Sequence, residues 1–396
     1  MSEGTSHHAR TRLDEARERL LGLVTPHQRR ELVPVGQADG RTAADSLTAE
    51  RPVPHYERAA MDGYAVRAAD VDDSSELLVD DTIGAGRAVP VHTGSPVPTG
   101  ADAVVRVERT SETAEGVMIE TAVSSGQNVA PIGEDVAAGD ELVSRGECLS
   151  PSALALLAAA GHERIPVMER PRVGLLPTGG ELVSATATPG RGETPETNGL
   201  AVDRLVHRWG GTAMRHGPVD DTPTAIAAAI DEVLDTDLLV TLAGTSVGDR
   251  DHVPSVVQDR GTLTVHGIAV KPGHPAGFGT IGDTPVLMLP GYPVSVLVIA
   301  SALLRPAVAA AGGGNLPPIP TTEATLDAPI DSESGVRRFT PVRLKRDRAV
   351  PVQSAGAGVL SSVTRADGWV VVNEERDRVA AGERVIVEHR LPAAGR

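Results

Sequence analysis

The chain has 396 residues, 40% of them hydrophobic but only 2% aromatic, and a net charge of −16. That length is too great for one ordinary core, and so acidic a balance excludes a general binder of nucleic acid or anionic membrane, which needs a basic face. A lone Cys148 excludes an internal disulfide and any Cys-based metal cage.

From Thr11 the spacing of Leu13, Ala16, Leu20, Leu21 and Val24 predicts an amphipathic helix stopped by Pro26. It is expected to pack beside a second helix over 150–161, which Ser150-Pro151-Ser152 starts and Gly161 ends. Between the two, short β-rich runs at 77–79, 103–107 and 117–119 alternate with turn clusters. The pattern is that of a β domain, 54–138, inserted into an elongated helical domain made of 11–53 and 139–169.

From Arg172 strands and helices alternate: strands over 173–176, 238–242 and 284–289, helices over 199–209, 222–234, 252–259 and 293–310. This predicts a multi-domain α/β plus β chain whose third unit, 170–314, is a doubly wound parallel sheet. The longest apolar run, 294–304, is too short to cross a bilayer, and the N-terminus lacks a signal-peptide core, so a soluble cytoplasmic protein is expected. A GGGNLPP linker (312–318) leads to strands over 336–344, 349–353, 369–372 and 385–387, a small β domain within 315–396.

Three loops carry the chemistry. In DLLVTLAGTSVGDRD (237–251) a buried-strand run ends in small residues whose backbone N–H groups can approach an anion. KPGHP (271–275) and LPGYP (289–293) follow the same logic. Any one of them could be ordinary turn chemistry; three suggest a shared pocket. No GxxxxGK[ST], no GxGxxG turn after a strand and no HExxH is present, so neither a P-loop NTPase, a dinucleotide-binding turn nor a zincin is expected.

Taken together, AMDGYA (60–65), HTGSPVPTGADAVVRVE (92–108), GQNVAPIGEDV (126–136), LPTGGEL (176–182), TNGLAV (197–202), GTSVGDRD (244–251), KPGHP (271–275) and LPGYPVS (289–295) resemble the molybdopterin molybdenumtransferase (MoeA-type) family, in family order over nearly the whole chain. The resemblance implies an L-shaped homodimer with four domains per subunit, the third similar to the enzyme that adenylylates molybdopterin. It implies insertion of molybdate, or tungstate, into adenylylated molybdopterin with release of AMP. Contact with the adenylylating enzyme also follows from it. That enzyme itself is a poorer match, because this chain carries extra domains at both ends.

Such a substrate needs anion donors, carboxylates for Mg²⁺ and an oxyanion pocket. Gly244, Thr245, Ser246 and Gly248 are candidates for phosphate, helped by the helix that follows, and Pro290, Gly291 and Ser295 for the oxyanion. Glu181, Asp220 and Asp251 are the candidate Mg²⁺ ligands. The resemblance places Asp62 and Asp135 in a cleft reached across the dimer. Lys271 is one of only two lysines, against 35 arginines, so a retained ammonium suggests a specific role toward molybdate or phosphate. Arg338 and Ser361-Ser362 match weaker family patterns, and Arg337 reads as surface charge.

Four positions depart from the family pattern: Gly180 where Asp is usual, Ala243 for Gly, His274 for Lys and Tyr292 for Asn. All four are expected in the pocket, with His274 neutral at pH 7. They leave two hypotheses, an active transferase or a paralogue that binds pterin or a partner as a scaffold. Retention of five acids around an anion site favours the enzyme.

Overall fold

The computed structural model describes residues 10–245, 252–315, 317–352 and 356–389. At the centre is a six-stranded sheet in the order Thr212–Arg215, Arg172–Pro177, Leu238–Leu242, Thr284–Leu289, Gly277–Ile281, Thr262–His266. The first four strands are parallel; the last two add antiparallel. The doubly wound sheet therefore carries an antiparallel extension that the apolar-run pattern did not predict. Leu238–Leu242 is buried at every position, as a strand covered on both faces must be. On one face Val173, Leu175 and Val240 meet Val202, Val206 and the Pro293–Ala311 helix; on the other Leu176 and Leu239 meet Ile226, Ile230, Val256 and Val257.

The N-terminal helix Leu13–Leu23 buries Leu13, Ala16 and Leu20 in the first of these faces. This corrects the expected pairing with 150–161. The backbone decides it: Thr11 N–H donates to the Gly267 carbonyl at 3.1 Å and accepts from Ala269 N–H at 2.8 Å, so the helix starts already tied to the central sheet. Helix Pro151–Ala159 is capped by the Ser150 hydroxyl, which accepts from Ala153 N–H. It packs Leu157 instead with Val33, Leu149 and Ile165 around the antiparallel ribbon of Arg30–Pro34 and Arg164–Met168.

Pro293–Ala311 is a continuous 19-residue helix, within one residue of the expected 293–310, and apolar enough by length and composition to cross a membrane. Two-thirds of it is buried inside the fold, the signature of a core helix. It passes through a π turn at Ala300–Leu304, just before Pro306. Proline has no N–H to offer the carbonyl four residues back, and that carbonyl, Ala302, accepts from Arg17 Nε at 3.1 Å.

Residues 59–130 contain a second six-stranded sheet with its own core around Val66, Leu77, Val105 and Ile119. The C-terminal strands Thr321–Leu326, Arg337–Lys345, Arg348–Pro351, Gly368–Val372 and Arg384–His389 close into a ring. A further strand, Val270–Lys271, joins that ring in parallel from the central unit, with Val270 opposite Arg337 and Lys271 opposite Arg338.

Candidate functional site

Three adjacent parallel strands, Arg172–Pro177, Leu238–Leu242 and Thr284–Leu289, end side by side, and their carboxyl-end loops open onto one cleft of about 920 Å³. Glu181, Gly244, Thr245, Lys271, Pro290, Gly291 and Ser295 all line it. The barrel supplies the opposite wall through Arg338, Phe339, Gly358 and Ser362.

The loop backbones are held by the sheet itself. Thr178 N–H donates to the Leu242 carbonyl at 2.9 Å and Ala243 N–H to the Leu289 carbonyl at 3.0 Å. Gly244 sits at φ +65°, and a Cβ there would come within 2.9 Å of both Thr178 Oγ1 and Val253 Cγ2, so no side chain fits. Thr245 is 2% exposed, and its carbonyl accepts from His266 Nε2 at 2.8 Å, which fixes the ring tautomer. Helix Val253–Arg260 begins beyond it; its Val253 N–H donates to the Gly244 carbonyl at 3.2 Å and Pro254 has no N–H to offer. Ser246, Gly248 and Asp251 lie outside the described residues.

Lys271 stands exposed at the rim, its strand register placing it next to Arg338. Arg338 Nε is buried without a hydrogen-bond partner. The loop carrying Lys271 turns at Gly273, φ +123°, where a Cβ would strike Ile299 Cγ1 at 2.7 Å. Burial, then the charges of Arg10 and Lys271, push the His274 pKa below its ordinary value, so this imidazole is neutral at pH 7. Ser295 is 3% exposed, in the first turn of the Pro293–Ala311 helix.

Glu181 and Asp220 flank the Gly179-Gly180 turn: a Cβ on Gly179 would lie 3.0 Å from both Glu181 carboxylate oxygens, and one on Gly180 would lie 3.8 Å from Asp220 Oδ1. Both carboxylates are exposed, and Asp220 and Gly180 lie beside the cleft, not in its lining. Ala243, His274 and Tyr292 do line it. Among the described residues no group of three His, Cys, Asp or Glu side chains is arranged to hold a metal ion.

Asp62 and Asp135 do not line this cleft. Asp62 precedes the Gly63–Val66 strand and accepts from Thr93 N–H at 2.7 Å and Thr93 Oγ1 at 3.2 Å. The backbone donor, then the Thr93 hydroxyl and His92, hold its pKa below the usual carboxylate range. Asp135 is exposed, with its N–H bonded to the Val53 carbonyl. Arg337, expected on the surface, is instead largely buried: it bridges Asp14 of the N-terminal helix and the 3%-exposed Glu374.

Arg338 and Ser362 matched only weaker family patterns in the sequence; the parallel pairing of Val270–Lys271 with the barrel strand brings Arg338 to the cleft, and the short helix Leu360–Thr364 carries Ser362.

Profiles of known families match in order: "MoeA N-terminal region (domain I and II)" over residues 11–161, "Probable molybdopterin binding domain" over 174–310 and "MoeA C-terminal region (domain IV)" over 323–389. The chain is 34% identical to molybdopterin molybdenumtransferase 2 of Mycobacterium tuberculosis, covering 90% of this chain and 94% of that one. It is 30% identical to the molybdopterin molybdenumtransferase of Haemophilus influenzae, covering 95% and 98%. The crystal structure of a molybdopterin biosynthesis MoeA protein from Pyrococcus horikoshii superposes with a TM-score of 0.80 at 31% identity, covering 96% of this chain and 98% of that one.

Proposed function

This chain belongs to the molybdopterin molybdenumtransferase family, and from that premise we propose that its cleft inserts molybdate into adenylylated molybdopterin, releasing AMP and the molybdenum cofactor. The observation that carries the reading is the cation pair Lys271 and Arg338, set side by side by strand register across from two anion-accepting loops. A tetrahedral dianion placed between them gains charge-assisted hydrogen bonds from both, and the Ser295 hydroxyl adds a neutral donor. Gly244 and Thr245 face the phosphoanhydride. The scaffold alternative gains no support from the relatives.

Mg²⁺ suits the donors available. Glu181 and Asp220 are hard oxygen donors, both exposed beside the Gly179-Gly180 turn, and Asp251 would complete the set. When bound there, the ion would neutralise phosphate charge as the anhydride is cleaved. In the same proposal the protein is a cytoplasmic homodimer, with Asp62 and Asp135 brought to the cleft by the second subunit. The same proposal divides the chain into 11–53 with 139–169, 54–138, 170–314 and 315–396, and takes contact with the adenylylating enzyme as the substrate source.

Molybdate-dependent AMP release from adenylylated molybdopterin tests it. Because Lys271 is exposed, Lys271→Ala is expected at the low end of a charged hydrogen bond, about tenfold, and Lys271→Arg recovers part of it. Unchanged rates in Lys271→Ala and in Arg338→Ala would overturn the assignment. A monomer in solution scattering at micromolar concentration would overturn the shared cleft.

A further inference from the structure

We propose that Tyr292 is a stacking platform for the fused nitrogen heterocycle of the cleft's ligand, a role this chain acquires by carrying Tyr where its family usually has Asn. The chain is sparing with aromatics, having two Phe, three Tyr and two Trp, yet Tyr292 and Phe339 both line one cleft. Phe339 is already occupied, edge-on against Trp369 with ring centroids 6.5 Å apart. Tyr292 is 66% exposed and, among the described residues, has neither a ring contact nor a hydroxyl partner. An unpartnered aromatic ring at the mouth of a binding cleft offers a ligand a flat surface to stack on.

Its position is fixed on both sides. Asn198 Nδ2 donates to the Gly291 carbonyl at 2.7 Å, and Val294 N–H donates to the Ala357 carbonyl at 3.1 Å. Pro293 follows immediately and restricts the backbone at the start of the helix. Gly358 of the barrel stands beside the ring: a Cβ there would be 3.5 Å from Cδ1 and 3.7 Å from Cε1. The ring thus has the barrel on one side and is still two-thirds exposed at the cleft. Three residues further on stands Ser295, one of the oxyanion donors, so a flat ring on Tyr292 would be the neighbour of the anion-bearing part of the same ligand.

A pterin and an adenine both present such a π-face, and the substrate of the proposed reaction contains both. The inference therefore rests on that reading for the identity of the ring, while the stacking itself is separately measurable. The experiment is calorimetric titration of the full chain and of Tyr292→Ala and Tyr292→Phe with AMP, ribose 5-phosphate and 6-hydroxymethylpterin. Base–aromatic stacking predicts that Tyr292→Ala weakens the stacked ligand by roughly 5- to 100-fold. Tyr292→Phe should keep most of the affinity, and ribose 5-phosphate should bind all three proteins alike. Loss confined to AMP identifies adenine as the stacked ring, and loss confined to the pterin identifies the pterin. Equal affinities in Tyr292→Ala and the parent, equal losses for AMP and ribose 5-phosphate, or a parent that binds neither heterocycle would each overturn the proposal. Absence of molybdate-dependent AMP release in the parent would retire the proposed reaction and leave the stacking result standing.

Discussion

Ala243 shows how much one methyl group can reveal. It occupies φ +78°, a left-handed conformation that a Cβ disfavours by roughly 1–2 kcal/mol, and it directly follows the strand that ends at the cleft. Gly291 closes over it, leaving 3.1 Å between the Ala243 Cβ and the place a second Cβ would take. Ala243→Gly should relieve that strain, offset in part by about 0.4–1 kcal/mol of added unfolded-state entropy. A net gain of about 0.5–1 kcal/mol is expected, read as a raised urea midpoint; a lowered midpoint would mean that the methyl packing outweighs the strain. The substitution itself was legible in the sequence, because a Gly was expected there, but its strain was not, since φ is a property of the closed loop. Lys271 was legible for another reason: in a chain that uses Arg almost everywhere, a lysine stands out. That Arg338 is its neighbour was invisible, because the two are far apart in sequence and meet only through strand register.

Among the elements, those with long apolar runs could be read directly. Arg172–Pro177, Leu238–Leu242 and Thr284–Leu289 are buried almost throughout, so their composition declares them. Thr212–Arg215, Thr262–His266 and Gly277–Ile281 were missed. The first two lie at the sheet's edges with half-exposed, polar sequences, and the third is rich in Gly. The N-terminal helix was recognised by its apolar stripe, but a stripe does not name its partner. That partner gives Arg17 a function in the core helix, since its Nε satisfies the carbonyl freed by Pro306. Arg17→Ala should destabilise by about 1 kcal/mol, the net value of one hydrogen bond. Pro306→Ala restores a donor for that carbonyl, so in this background Arg17→Ala should lose most of its effect. A double-mutant cycle by urea unfolding checks this, and strictly additive effects would show that the two are uncoupled.

For the whole molecule, two clusters of charge tie the parts together. Arg29, just before the antiparallel ribbon, donates to Asp237 at 3.0 and 2.5 Å, and Asp237 also accepts from Arg172 N–H at 2.7 Å. Burial alone would raise the Asp237 pKa, but the Arg29 guanidinium and the Arg172 N–H outweigh it and leave it lowered. A lowered carboxylate pKa contributes stability that is present above the unfolded value, about 3.9, and is lost as pH falls through the folded value. Asp237→Asn should therefore be destabilising at pH 7, with the difference from the parent shrinking below about pH 4; a constant difference from pH 7 to 3 would exclude the tie. The second cluster is Arg337 between Asp14 and Glu374. Removing Arg337 leaves a buried carboxylate unpaired, so Arg337→Met should cost about 3 kcal/mol, and Glu374→Gln in the same chain should recover part of it. Urea unfolding of the single and double variants measures both.

The strand Val270–Lys271 belongs by sequence to the central unit and by hydrogen bonding to the barrel. For module exchange this means that the cut suggested by the GGGNLPP linker is misplaced. A chimera that imports a relative's barrel at residue 315 keeps this chain's 268–275 segment as the barrel's added strand, and with it a lysine whose neighbouring arginine now comes from another protein. Such hybrids should fold yet mispair their two cations, whereas transplants that carry 268–275 together with the barrel inherit the oxyanion wall as one heritable piece.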